Sequence, residues 1–170
     1  MIFGYILHSS DLIYFVRNVE IIAWTTLFFG FILYFSDQSK TKKNISKNLN
    51  LKSIIFIGIF QILALIPGVS RAGITITAAR FLNFNRVDSS KISFLLSIPA
   101  LIGASSLGIT DALKETLEIS YLSIIAIVLS FLFSFITVKY FLKYVNNFSL
   151  NIFVIYRVFL GIILLLIIYL

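Results

Sequence analysis

The sequence contains no cysteine and only one histidine, His8, among its 170 residues. Disulfide bonds and thiolate chemistry are therefore excluded, and a zinc site built from histidine and cysteine is not expected. Charged residues are also scarce, at 12% of the chain, whereas 59% of the residues are hydrophobic and the mean hydropathy is +1.03. This composition predicts an all-α integral membrane protein. Any metal it used would be a hard cation held by oxygen atoms and phosphate.

One short polar segment, residues 36–52, holds five of the basic residues behind the net charge of +7: Lys40, Lys42, Lys43, Lys47 and Lys52. A nucleic-acid site would need its basic residues on a folded face. A lysine-rich loop beside an apolar stretch instead sets the orientation of a membrane protein. We therefore expect a cytoplasmic basic loop, membrane lipid as a partner and no nucleic acid.

The apolar stretches predict a single membrane domain, residues 1–170, with about four transmembrane helices at 19–35, 92–110, 119–138 and 148–170. Residues 53–82 are also apolar, but Pro67 and Gly68 interrupt them. This leaves two architectures open, one kinked transmembrane helix or a re-entrant pair of half-helices.

The charges of the connecting segments favour the re-entrant pair. If residues 53–82 enter and leave on one face, the basic segments 36–52, 80–91 and 139–147 share that face, and the acidic segment 111–118 lies on the other. This arrangement satisfies the positive-inside rule. The turn at residues 67–71 would then open toward the outer face, where non-helical backbone must line a pocket.

Residues 61–77, reading QILALIPGVSRAGITIT, place an arginine beside the Pro-Gly turn. An arginine inside a lipid-embedded segment costs about 3 kcal/mol or more, so Arg71 indicates a functional site with an anionic partner. The alternative is a structural arginine paired with a distant carboxylate. The turn residues around Arg71 favour the functional interpretation.

The residue types in this stretch suit an oxyanion. A helix that begins near the turn directs its partly positive N-terminus there, and Ser70 and Thr75 add hydroxyl groups. Gly68 and Gly73 permit close backbone approach, and Arg71 offers a planar, charged fork that fits phosphate. The stretch therefore predicts a site for a phosphate group attached to a lipid.

The same stretch lacks a base. All seven acidic residues lie outside it. Asp111, Glu115 and Glu118 have helical spacing and could mimic a carboxylate pair, but a solvated loop is the expected interpretation. The chain alone thus offers a phosphate clamp without the carboxylates that metal-assisted hydrolysis usually needs.

The order of the motifs resembles the second signature region and the ending of the bacterial undecaprenyl-diphosphatases of the bacitracin-resistance (BacA) type. The motifs are Gln61-x-x-Ala64-x-x-Pro67-Gly68-x-Ser70-Arg71-x-Gly73-x-Thr75, then Ser93-Phe94-x-Leu96-x-x-Pro99, then Ile155-Tyr156-Arg157. The resemblance covers residues 20–170 and only the C-terminal portion of that family. The family's first repeat, with paired glutamates and a serine-rich run ending in histidine, has no counterpart here. Ala72 and Ile74 also depart from the usual pattern and remove one hydroxyl.

This resemblance implies hydrolysis of undecaprenyl diphosphate to undecaprenyl phosphate and inorganic phosphate, which recycles the lipid carrier of peptidoglycan synthesis. It implies an inverted-repeat fold in the bacterial inner membrane, with the turn opening toward the periplasm. It also implies a divalent cation, Mg²⁺ or Ca²⁺, with ligands outside this chain, and a partner that is the missing N-terminal repeat or a second copy. By position it assigns catalysis to Arg71, Ser70 and Thr75, and substrate binding to Pro67, Gly68, Gly73 and Gln61.

Two other functions stay open. A protein that binds or translocates the lipid carrier could use the same clamp without hydrolysis, and the absent carboxylates favour this for the chain alone. A structural membrane subunit would need no ligand at all.

Overall fold

The computed structural model describes residues 18–112 and 121–170. The described residues contain no β-strand and form these elements: α1 (Val19–Asp37), the short α2 (Ile45–Asn48), α3 (Leu51–Ile62), a 3₁₀ turn (Leu63–Leu65), α4 (Arg71–Phe81), α5 (Arg86–Ala112), α6 (Tyr121–Asn147) and α7 (Asn151–Tyr169). Helices α1, α5, α6 and α7 are long and apolar enough to cross a membrane. The prediction of an all-α polytopic membrane protein is confirmed. His8, Glu115 and Glu118 lie outside the described residues.

Helices α1, α5 and α6 extend beyond the apolar stretches that predict them. Helix α5 begins at Arg86, before residue 92, and α6 continues to Asn147, well past residue 138. Lysine and arginine are good helix formers, so a charged residue ends the lipid-exposed part of a helix without ending the helix. Hydropathy therefore predicts the lipid-exposed part of a helix better than it predicts the residues at which the helix begins and ends.

Helices α1 and α7 form a close antiparallel pair. A Cβ atom at Gly30 of α1 would lie 3.3 Å from the Arg157 Cβ of α7, and one at Gly161 of α7 would lie 3.3 Å from the Ala23 carbonyl oxygen of α1. At the far end the Tyr169 hydroxyl donates to a Glu20 carboxylate oxygen. Glycines at the contact let the two backbones approach, as in many membrane helix pairs.

Helix α4 is the central element of the fold. Seven consecutive residues, 74–80, are buried, because α4 packs against α1, α3 and α5. It contributes Ile76 to one apolar cluster, with residues of α1, α6 and α7, and Ala78 and Ala79 to a second cluster, with residues of α3 and α5. A helix buried all round is held by its neighbours, so its position is set by the bundle.

A buried ion cluster around Asp37 closes the C-terminal end of α4. The Asp37 carboxylate accepts from Arg86 Nε at 2.7 Å and from the Leu150 backbone N–H at 3.1 Å, and it lies 3.6 Å from Arg80 Nε. Arg80 also donates to the carbonyls of Asp37, Ser39 and Phe84. Burial lowers the pKa of the Arg80 guanidinium, and the charge of Asp37 opposes this shift. The cluster joins the ends of α1 and α4 to the starts of α5 and α7.

Helices α3 and α4 form a hairpin whose C-terminal end, at Arg80, belongs to this cluster. At its closed end, the turn at residues 66–70 contacts Thr25 and Thr26 of α1. These threonines lie about 17 Å along α1 from Asp37, on a helix about 28 Å long. The closed end of the hairpin therefore lies partway along α1 and does not reach the α1 N-terminus.

Candidate functional site

The chain reverses direction between α3 and α4 through two unusual backbone conformations. Gly68 has φ of +89°, and Ser70 has φ of +58°. The second value is uncommon for a residue with a side chain and indicates local strain held by the surroundings. Ser70 caps α4, because its Oγ accepts from the Gly73 N–H at 3.3 Å. The N–H groups of Arg71 and Ala72 have no intrahelical acceptor, as at any helix start.

Helix α1 supports the turn from one side. Thr25 Oγ1 donates to the Pro67 carbonyl at 2.6 Å, and Thr26 Oγ1 donates to the Gly68 carbonyl at 3.3 Å. A Cβ atom at Gly68 would lie only 2.7 Å from the Ile22 carbonyl oxygen. Glycine is thus required at 68 both by its φ angle and by the contact with α1.

Arg157 reaches the turn from α7. Its side chain is buried, with the residue 8% exposed, and its Nη2 donates to the Val69 carbonyl at 2.9 Å. The guanidinium lies over Gly73, where an added Cβ would meet its atoms at 3.2–3.4 Å. Glycines at 30 and 73 therefore leave the space that this arginine occupies.

Three polar atoms near this turn are buried without a hydrogen-bond partner among the described residues. They are Arg71 Nη1, Arg157 Nη1 and Gln61 Oε1. Buried polar groups are nearly always paired, so unpaired donors on two arginines require a ligand or another part of the protein.

Neither arginine meets a carboxylate in the part of the chain that the structure describes. Both ion pairs found there use Asp37, at the opposite end of α4. An uncompensated buried cation is costly, and an anion bound at the turn would remove that cost for the buried Arg157 and would pair the buried Nη1 of the half-buried Arg71. The positive end of the α4 dipole adds to the same attraction.

The structure brings most of the predicted site residues to one turn. Pro67, Gly68, Ser70, Arg71 and Gly73 form the turn and the first residues of α4, and Gln61 lies just before it on α3. Thr75 is one turn further along α4 and 1% exposed, with its hydroxyl bonded to the Arg71 carbonyl at 2.9 Å and to Ser93 Oγ at 2.7 Å. Direct contact between these residues and a substrate stays a prediction.

Arg157 is assigned no role from the sequence, although its position within an apolar stretch indicates one. It is the only charged residue within 148–170, and the reasoning applied to Arg71 holds for it equally. What the sequence could not supply was its proximity to Val69 and Gly73, which depends on the antiparallel packing of α7 beside α1.

The donor set at the turn does not fit a divalent cation. Mg²⁺ and Ca²⁺ take oxygen ligands, mainly carboxylates, carbonyls and water. Here the Arg157 guanidinium contacts the turn at Val69 and Gly73, Arg71 belongs to the start of α4, and no group of three acidic or histidine side chains that could hold a metal occurs in residues 18–112 and 121–170. The described residues at this turn therefore do not offer the oxygen ligands that a divalent cation prefers.

Comparison with known proteins identifies the family of this chain. Residues 1–163 match the family described as bacitracin resistance protein BacA. The chain is 62% identical over 170 residues to an undecaprenyl-diphosphatase of Pelagibacter ubique (strain HTCC1062), which covers 99% of this chain and 66% of the relative. It is 41% identical over 147 residues to an undecaprenyl-diphosphatase of Elusimicrobium minutum (strain Pei191), covering 86% of this chain and 55% of the relative.

The chain thus spans somewhat less than two thirds of the length of these curated relatives. The match to the family extends over nearly all of its own residues. The chain belongs to the family of the bacitracin resistance protein BacA.

Proposed function

We propose that this chain supplies the phosphate-binding part of an undecaprenyl-diphosphatase active site. The observation that carries the proposal is a pair of arginines at a helix N-terminus, the half-buried Arg71 and the buried Arg157, whose buried Nη1 atoms are unpaired and which have no carboxylate partner among the described residues. The names of the relatives supply the substrate, a polyprenyl diphosphate that is converted to the monophosphate and inorganic phosphate.

In the proposed reaction, water attacks the terminal phosphorus and the bond to the bridging oxygen breaks. Negative charge then develops on the bridging oxygen and on the oxygens of the transferred group. Arg71 and Arg157 stabilise this charge, and the N–H groups at the start of α4 assist them. Ser70 lies at the cap position, where its hydroxyl can contact the same phosphate. The base that activates water comes from outside the described residues.

The divalent cation that hydrolysis of a phosphoanhydride commonly uses would also need ligands from elsewhere. The segment that the longer relatives possess in addition is the natural source, and a second copy of the chain is the alternative. In either case the turn binds the phosphate through positive charge, and the partner brings the negative groups.

We further infer that α3 and α4 form a re-entrant pair in the inner membrane, with the turn opening toward the periplasm. The contact of the C-terminal end of α4 with Asp37 supports this, as does the closed end lying partway along α1. Because the chain has no native cysteine, single cysteines at Asn48, Asn85 and Thr116 report on topology directly. The first two should label from the cytoplasm and the third from the periplasm. Labelling of Asn48→Cys and Asn85→Cys from opposite sides would exclude re-entrance.

The second candidate function is binding or translocation of the lipid phosphate without hydrolysis. It is favoured because neither Arg71 nor Arg157 forms an ion pair with a carboxylate in residues 18–112 and 121–170. It predicts tight binding of the diphosphate lipid and no phosphate release under any condition.

The deciding experiment measures phosphate release from undecaprenyl diphosphate with Mg²⁺ or Ca²⁺ in detergent. The chain is tested alone and together with the remaining third of the Pelagibacter ubique relative. We expect release only with the added segment, and a loss of about 100-fold for Arg71→Ala, the effect of removing one charge-stabilising group. Release by the chain alone that is unchanged in Arg71→Ala would refute the site. Binding without release under both conditions would favour the second function.

A further inference from the structure

Two buried hydroxyl groups meet between α4 and α5, just behind the phosphate-binding turn. Thr75 Oγ1 and Ser93 Oγ are 2.7 Å apart, and the two residues are 1% and 4% exposed. Thr75 Oγ1 also lies 2.9 Å from the Arg71 carbonyl oxygen and 3.2 Å from that of Ala72. A hydrogen bond from α5 therefore reaches the first turn of α4 through one threonine.

The direction of these hydrogen bonds follows from counting protons. Each hydroxyl has a single proton to donate. The Ser93 hydroxyl has Thr75 Oγ1 as its hydrogen-bond partner and no other among the described residues, so Ser93 donates to Thr75. Thr75 is then free to donate its own proton to the carbonyls at the start of α4.

We propose that Ser93 is a positioning residue for the phosphate-binding turn. Acting through Thr75, it holds the Arg71 carbonyl and with it the first turn of α4, which carries Ser70 and Arg71. The first turn of a helix has the fewest backbone hydrogen bonds and opens most easily, so an additional bond from a packed neighbour restrains it where the ligand binds. The expected effect of Ser93 on phosphate affinity rests on the proposed function. Its expected effect on the order of the first turn of α4 rests only on the contact between the two hydroxyl groups.

The test compares Ser93→Ala with Ser90→Ala. Ser90 is equally buried on the same helix, but its hydroxyl donates to the Arg86 carbonyl of α5 itself, at 2.9 Å. Hydrogen exchange of the backbone amides in residues 71–77 is measured in the full chain without ligand, and affinity is measured with inorganic pyrophosphate. Ser93→Ala should speed exchange and weaken affinity about fivefold each, the usual effect of one lost buried hydrogen bond. Ser90→Ala should change neither.

A double variant separates action through Thr75 from a general packing defect. If Ser93 acts through Thr75, adding Ser93→Ala to Thr75→Val should bring no further loss in exchange protection or affinity. Ser93→Thr keeps the donor and should retain both properties, which guards against misfolding of the alanine variant.

Any of three results would overturn the proposal. Amide exchange could be unchanged in Ser93→Ala, Ser90→Ala could have an equal effect, or the losses could be additive in the double variant. Faster exchange in Ser93→Ala with full pyrophosphate affinity would overturn it as well. If the unaltered chain does not bind pyrophosphate, the proposed function fails, while the exchange data still decide whether Ser93 orders this turn.

Discussion

Replacing Arg157 with methionine distinguishes a ligand-binding arginine from a structural one. The substitution removes a buried charge, whose cost at the centre of a membrane helix is about 3 kcal/mol. It also leaves the Val69 carbonyl without its donor, now 2.9 Å from Nη2, at a cost of about 1–3 kcal/mol. The two terms have opposite sign, so we expect the free energy of unfolding without ligand to stay the same or to rise by up to about 2 kcal/mol.

Affinity for an anion should respond much more strongly to the same substitution. A hydrogen bond between charged groups contributes about 1.5–3 kcal/mol, so affinity for pyrophosphate should fall about 10- to 100-fold. Isothermal titration and thermal unfolding in the same detergent measure both quantities. Arg157→Lys is the matched control, since it keeps the charge and loses the planar fork, and it should bind with intermediate affinity.

A structural role for Arg157 predicts the opposite result. If its main partner were an unseen carboxylate, breaking that buried pair would cost about 3–5 kcal/mol of stability. A large loss of stability with pyrophosphate affinity within twofold of the unaltered chain would therefore refute the proposed clamp.

Two further substitutions test the geometry of α4 at its opposite ends. Gly73→Ala should favour the helical conformation by about 1 kcal/mol. It should nevertheless weaken pyrophosphate binding severalfold, because the new Cβ meets the Arg157 guanidinium at 3.2 Å. Gly58→Ala is the control, since its Cβ meets nothing within 4 Å, and it should leave binding unchanged in the same titration. Asp37→Asn should lower the free energy of unfolding by about 3 kcal/mol, because it leaves the buried Arg80 without a compensating charge. Asp88→Asn is the control, since the partners of Asp88 are uncharged, and it should lower the free energy of unfolding by less than about 1 kcal/mol. Thermal unfolding measures both. Equal effects within either pair would contradict the contacts described above.

The sequence predicts the local features of this site because they depend on neighbouring residues. Pro67 and Gly68 form the turn that follows α3 and its 3₁₀ turn, Ser70 caps α4 and Arg71 follows directly, so the helix break and the arginine beside it are encoded within a few positions. The number of long apolar helices follows in the same way from hydropathy.

The remaining features depend on packing between distant segments. Arg157 is separated from Val69 by 88 positions, and their contact requires α7 to lie antiparallel to α1 with glycine at position 30. The hydroxyl of Thr75 looks like a ligand contact in the sequence, but Ser93, 18 positions away, engages it in the interior. Neither relation has a periodic signature, since side chains pair across helices according to register and rotation.

The two ends of α4 provide an internal comparison for interpreting buried arginines. At the C-terminal end, Arg80 donates to three backbone carbonyls, and its Nε, which has no hydrogen-bond partner among the described residues, lies 3.6 Å from the Asp37 carboxylate, so its charge is compensated within the chain. At the N-terminal end, Arg71 and Arg157 have unpaired donors beside the positive end of the same helix dipole, where a second positive charge is least favourable. If Arg71 and Arg157 served only to hold the bundle together, we would expect them, like Arg80, to have a compensating carboxylate among the described residues. The uncompensated positive charge there favours a negative group supplied from outside the described residues, and phosphate is the group that we propose, because a guanidinium fork and a helix start both suit it.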